Sequence, residues 1–117
     1  MTQGRNPKHY DLEDRTFEFA KNCRNFVKIL PKTISHIEYG KQLIRSSGST
    51  AANYIEANEA LSKKDFVMRI KICRKESKES RLWLRLCITK EEKTQKDLIG
   101  ESGELTKIFG SILEKCK

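Results

Sequence analysis

The side chains able to do chemistry are few and scattered. Histidines stand at 9 and 36, and cysteines at 23, 73, 87 and 116. One polar line has helical spacing: Gln42, Ser46, Ser49, Asn53 and Glu56 lie four, three, four and three apart, with Arg45 on the neighbouring line. Glu76 and Glu79 lie three apart on what reads as another helix. Carboxylates converging from several helices build di-metal centres in bundles, but that chemistry takes Glu-x-x-His. Neither His9 nor His36 follows a Glu at that distance. A Ser-His-Asp set, a P-loop and a Gly-rich dinucleotide fingerprint cannot be assembled either. The cysteines form no C-x-x-C and no Cys/His cluster, and read as small buried hydrophobes in a reducing cytoplasm. No catalytic, cofactor or metal site is expected, and the chain does not read as an enzyme. Gln42, Arg45, Ser49, Asn53, Glu56, Glu76 and Glu79 are expected instead to form a buried structural network that fixes helix register and subunit pairing.

A second pattern is electrostatic. The chain has 117 residues with 24 basic and 16 acidic side chains, a net charge of +8. Residues 62–90 hold ten of the bases and three of the acids, a net of +7. At about 100° per residue, Lys64, Lys71, Arg74, Lys75, Lys78, Arg81 and Arg85 share one arc of a helix, opposite Phe66, Ile70, Cys73, Leu84 and Cys87. Solvated helix faces usually mix signs, because acid–base pairs one turn apart support a helix and like pairs weaken it. A single-signed stripe favours an acidic polymer, RNA or DNA, over a plain surface or an acidic protein or membrane. No aromatic residues alternate with these bases, so contact with backbone phosphates fits better than base stacking.

These residues need elements to carry them. The composition is 37% hydrophobic and 34% charged, with six Gly and two Pro, too few turn formers for an all-β sandwich or barrel. No run approaches a membrane span, and residues 1–15 lack the apolar core of a secretion signal. Residues 1–10 read as a flexible tail and 11–117 as one domain. A first helix, capped by Asp11 or Asp14, presents Leu12, Phe19, Cys23, Phe26 and Leu30 and ends before Pro31. A second begins near Ser35 with Glu38 completing a capping box, and runs to about Ala60. It is rich in small residues, Gly40, Ser46, Ser47, Gly48, Ser49, Ala51 and Ala52, which suggests another backbone very close. A third, capped by Ser62 with Asp65, should run from Lys63 to Lys90 as the longest element. A polar connector over 91–103, with a helical turn near 96–99, leads to a fourth that starts near 101–104. Four such helices with short links predict an all-α, antiparallel up-down-up-down four-helix bundle with a long basic third helix.

Several motifs have a family look. They are Leu30-Pro31-Lys32, Gln42-Leu43-Ile44-Arg45-Ser46-Ser47, Ala52-Asn53-Tyr54-Ile55-Glu56-Ala57, Ser62-x-x-Asp65-Phe66, Glu76-x-x-Glu79-x-x-x-Trp83-Leu84 and Glu104-Leu105-x-Lys107-Ile108-Phe109. Over residues 11–116 the chain resembles the bacterial four helix bundle proteins first noticed in intervening sequences of large-subunit ribosomal RNA genes. It is similar to the accessory variability determinant of diversity-generating retroelements. The resemblance implies an antiparallel bundle assembled as a homopentamer. From the accessory determinant it further implies nucleic-acid binding and association with a reverse transcriptase. The runner-up function is a structural or protein-interaction module whose charge only keeps it soluble.

Overall fold

A computed structural model describes residues 11–117; the expected tail over 1–10 lies outside the described residues. Among the described residues four helices follow one another: α1 (Leu12–Lys28), α2 (Ile34–Asn58), α3 (Lys63–Leu86) and α4 (Glu92–Lys115). Each starts where local chemistry allows, and two starts differ from expectation. Asp11 caps α1, its carboxylate accepting the Glu13 amide at 2.9 Å. The cap of α2 is Thr33 rather than Ser35, its hydroxyl accepting the His36 amide at 3.1 Å. Ser62 caps α3 by accepting the Asp65 amide.

The third helix is shorter than its sequence suggests. It stops at Leu86, and Cys87 turns into extended backbone (φ −68°, ψ 143°). At 24 residues it spans about 36 Å and is not the longest element, since α2 has 25. Residues 87–91 form the link to α4 instead. Residues 91–103 are no connector: α4 begins at Glu92 and runs for 24 residues. Leu98, Ser102, Leu105, Phe109 and Leu113 form its buried line, four, three, four and four apart, so the apolar face starts two turns earlier than expected. Gly100 and Gly103 lower helix propensity by about 1 kcal/mol each, and the packing of Leu98 outweighs that cost. Gln95 fastens the junction by donating to the Leu84 and Cys87 carbonyls, both at 2.8 Å. Those are among the acceptors a helix C-terminus leaves open.

Successive helices pack antiparallel, and α1 touches α4 most lightly, so the bundle is flat at 44 × 32 × 19 Å. Phe19, Phe26, Leu43, Ile70, Leu84, Leu105 and Phe109 fill its centre, and Tyr54 tilts against Phe109. Arg15 and Glu101 clamp α1 to α4 through two hydrogen bonds of 2.7 and 2.8 Å. The small residues of α2 divide by face. A Cβ on Gly40 would lie 2.8 Å from Val27 of α1, so glycine there permits a close approach. A Cβ on Gly48 would meet nothing within 4 Å.

Candidate nucleic-acid interface and the seam behind it

The outer face of α3 presents Lys64, Lys71, Arg74, Lys75, Lys78, Arg81 and Arg85, and all seven are exposed. The Lys75 ammonium stands 4.0 Å from Glu76. Among the described residues the other six make no ion pair. Exposed Met68 and Leu82 share the arc with the cations. Sequence reasoning left these two aliphatics out of the stripe, although their spacing from Lys64, Lys71, Lys75, Lys78 and Arg85 would have placed them there. The surface is therefore a row of cations broken by two apolar patches.

The opposite side of α3 meets α2 through polar atoms. The expected network divides in two, and neither half is wholly buried. In the first, Arg45 lies across Glu76 and Glu79 of α3, and its Nε donates to Gln42 Oε1 at 3.2 Å. Glu76 is buried, whereas Arg45 is about half exposed. Burial pushes the Glu79 carboxyl up, but the Trp83 indole N–H, donating at 3.1 Å, and the Arg45 guanidinium outweigh it, so it sits below the usual glutamate value. Its hydrogen bond to Glu79 in turn raises Arg45 above the ordinary arginine value. In the second half, Asn53 Nδ2 donates to the Ser49 carbonyl and hydroxyl at 3.0 and 3.1 Å, and its Oδ1 accepts from Arg69 at 3.1 Å. Glu56 is exposed and joins neither half.

Sequence reasoning missed Arg69 and the hydroxyl pairs of the interior. Ser46 meets Ser80 at 2.8 Å between α2 and α3, and Ser77 meets Thr106 at 2.9 Å between α3 and α4. Ser77 and Ser80 lie on the line of Ile70, Cys73, Leu84 and Cys87, which was the available signal. Small side chains there let the helices approach, and within each pair one hydroxyl donates to the other, which donates in turn to a carbonyl of its own helix, so these four hydroxyls are satisfied. Three thiols, Cys23, Cys73 and Cys87, are buried, whereas Cys116 is only partly covered, short of the burial expected of it. Burial raises Cys23, against a hydrogen bond from Ser47, and Cys73 to about 12, and Cys87 to about 11. Such thiols are poor nucleophiles at neutral pH. Among the described residues no group of three His, Cys, Asp or Glu could hold a metal, and no helix is long and apolar enough to cross a membrane.

Fold and surface together define an all-α antiparallel four-helix bundle with a cationic outer helix. The chain belongs to the 23S rRNA-intervening sequence protein family, whose pattern it matches over residues 8–111. It is also similar to a crystal structure from Bacteroides thetaiotaomicron VPI-5482, a protein of unknown function from the S23 ribosomal protein family. The two are 33% identical with a TM-score of 0.77, over 87% of this chain and 97% of that one. No curated protein matches.

Proposed function

We propose that this protein is a non-enzymatic, cytoplasmic, oligomeric bundle that binds RNA or DNA through backbone phosphates, with α3 as the contact. The observation that carries this reading is the row of seven exposed cations, six without an ion-pair partner among the described residues. Unpaired like charges along one helix cost stability, and an acidic polymer would relieve them. Oligomerisation, as the pentamer implied by family resemblance, has support on α2. Ile37, Ile44 and Ile55 are each nearly half exposed on one line with Gly48 and Ala51. A ring would repeat the α3 stripe and raise avidity without new contacts. Association with a reverse transcriptase rests on the resemblance alone.

The test is binding to duplex DNA and to RNA at several salt concentrations. The log–log salt slope should approach about −0.9 per phosphate contact on duplex and about −0.7 on single strands, with little sequence preference. Substituting Lys71, Lys75 and Lys78 together by Gln, with oligomer size checked, should weaken binding alike for all sequences and flatten the slope. Unchanged affinity and slope would remove α3 from the interface. If the unmodified protein fails to bind at low salt, the interaction-module reading stands, and the isoleucine line on α2 is the face that favours it. A monomer by light scattering at micromolar concentration would overturn the oligomer.

A further inference from the structure

His36 is buried where two interhelical links meet, and among the described residues it is the one side chain that joins them by hydrogen bonds. Its Nδ1 lies 2.8 Å from the Thr33 hydroxyl, the cap of α2. Its Nε2 accepts the Ile88 backbone N–H at 3.0 Å. Ile88 lies just past the end of α3, where Cys87 has left helical geometry, so its amide has no partner within that helix. The two contacts assign the ring. With Nε2 accepting, Nδ1 carries the proton and donates to Thr33 Oγ1, which also accepts the His36 amide. Only a neutral ring can do this.

We infer that His36 is a proton-operated latch that holds the 87–91 linker on the first turn of α2 when neutral and releases it when protonated. A proton on Nε2 replaces an acceptor with a donor that faces the Ile88 N–H. The surroundings offer the cation little. From α2, the Tyr39 ring meets His36 edge-on at 5.8 Å, and Lys41 lines the same cleft. From the α1–α2 link comes Lys32, and α1 contributes apolar Val27 and Leu30. From α3, Trp83 stacks on Tyr39, and the carboxylate reached through these rings, Glu79, is engaged by Trp83 and Arg45. From α4, neutral Gln95 occupies the Leu84 and Cys87 carbonyls, which would otherwise attract a cation at the end of α3, and the opposite charges of Glu92 and Lys96 line the cleft at Ile88 together with Arg85 of α3. His36 also sits in the first turn of α2, where a helix disfavours positive charge. Release would free the linker beside Arg85, the last cation of the basic row.

The latch does not depend on nucleic-acid binding, and its test uses the full chain alone. The readout is the protection factor of the Ile88 amide, corrected for intrinsic exchange, at pH 7.5 and 5.5. An ordinary histidine is about 90% protonated at the lower pH. The expected result is a fall of about tenfold in the unmodified protein and little change in His36→Gln, whose side-chain oxygen can accept at the Nε2 position without titrating. His9 is the other histidine and is retained in that variant. Equal behaviour of the two proteins, or no fall in either, would overturn the latch. Nitrogen-15 spectra of the histidine rings in the unmodified protein, with His9 assigned through His9→Gln, supply a measurement that needs no His36 variant. A neutral His36 carrying its proton on Nε2 rather than Nδ1 would equally overturn it.

Discussion

The two sides of α3 obey opposite rules. Inward, Ser77, Ser80 and Glu76 are buried polar groups, and each finds a partner on a neighbouring helix or on its own backbone. Outward, seven cations are exposed with almost no acid among them. The inner side is constrained by desolvation, because a buried hydroxyl or carboxylate without a partner costs about 1–3 kcal/mol. Water relaxes that constraint on the outer side, so the folded monomer does not require a partner there. Charges that nothing in the fold demands are the better candidates for function, whereas the ion cluster of Arg45, Glu76 and Glu79 is accounted for by helix packing.

Substitutions on the two sides should therefore separate stability from binding. The largest effect is expected from Leu84→Ala on the inner side. It removes a fully buried side chain and should cost about 2–5 kcal/mol in urea unfolding, with salt slope unchanged for the folded fraction. A loss below about 1 kcal/mol would mean that α3 is not close-packed there. Next is Arg45→Met, which leaves buried Glu76 without its cation and should cost about 1–3 kcal/mol. Adding Glu76→Met should recover part of that loss, because an apolar pair leaves no unpaired charge. If the double variant is no better than the single, the ion pair is not what Arg45 contributes.

A smaller effect follows from pH. Glu79 sits below the ordinary glutamate value in the folded protein, so the stability it contributes is present above that value, about 4.3, and is lost as the pH falls through its folded value. The gap between unmodified protein and Glu79→Gln should close on acidification by less than about 1 kcal/mol, since the pair is partly exposed. A gap constant from pH 7 to below about 4 would show that the carboxylate gains nothing from Trp83 and Arg45. The smallest change in stability belongs to the outer side. Substituting Lys71, Lys75 and Lys78 by Gln should shift unfolding by no more than about 0.5 kcal/mol, while it weakens binding and flattens its salt dependence. A large destabilisation would break the contrast between the two sides.

Much of this was legible from residue order alone. The all-α class, the helix count, the cap at Ser62, the choice of Asp11 or Asp14 to cap α1 and the exposed arc of α3 follow from periodicity and short-range hydrogen bonding, which need only a few neighbouring residues. The errors came where distant residues decide. Thr33 caps α2 in place of Ser35, and its hydroxyl holds both the His36 amide and the His36 ring, which in turn reaches Ile88, 52 residues away. The polar run over 91–103 suggested a connector, yet α4 runs through it because Leu98 is buried against the rest of the bundle.

Sequence spacing put Gln42, Arg45, Ser49, Asn53 and Glu56 on one side of α2, but spacing holds no information about what stands opposite. Tertiary structure brought Arg45 to Glu76 and Glu79, gave Asn53 to Arg69 and left Glu56 in water. It also decided that Ser46 meets Ser80, since such a contact depends on how closely two helices approach and in what register. Helix formation is set by backbone and neighbouring side chains, within reach of a few residues. Polar pairing across helices is set by the requirement that every buried donor and acceptor be satisfied, which only the assembled bundle imposes.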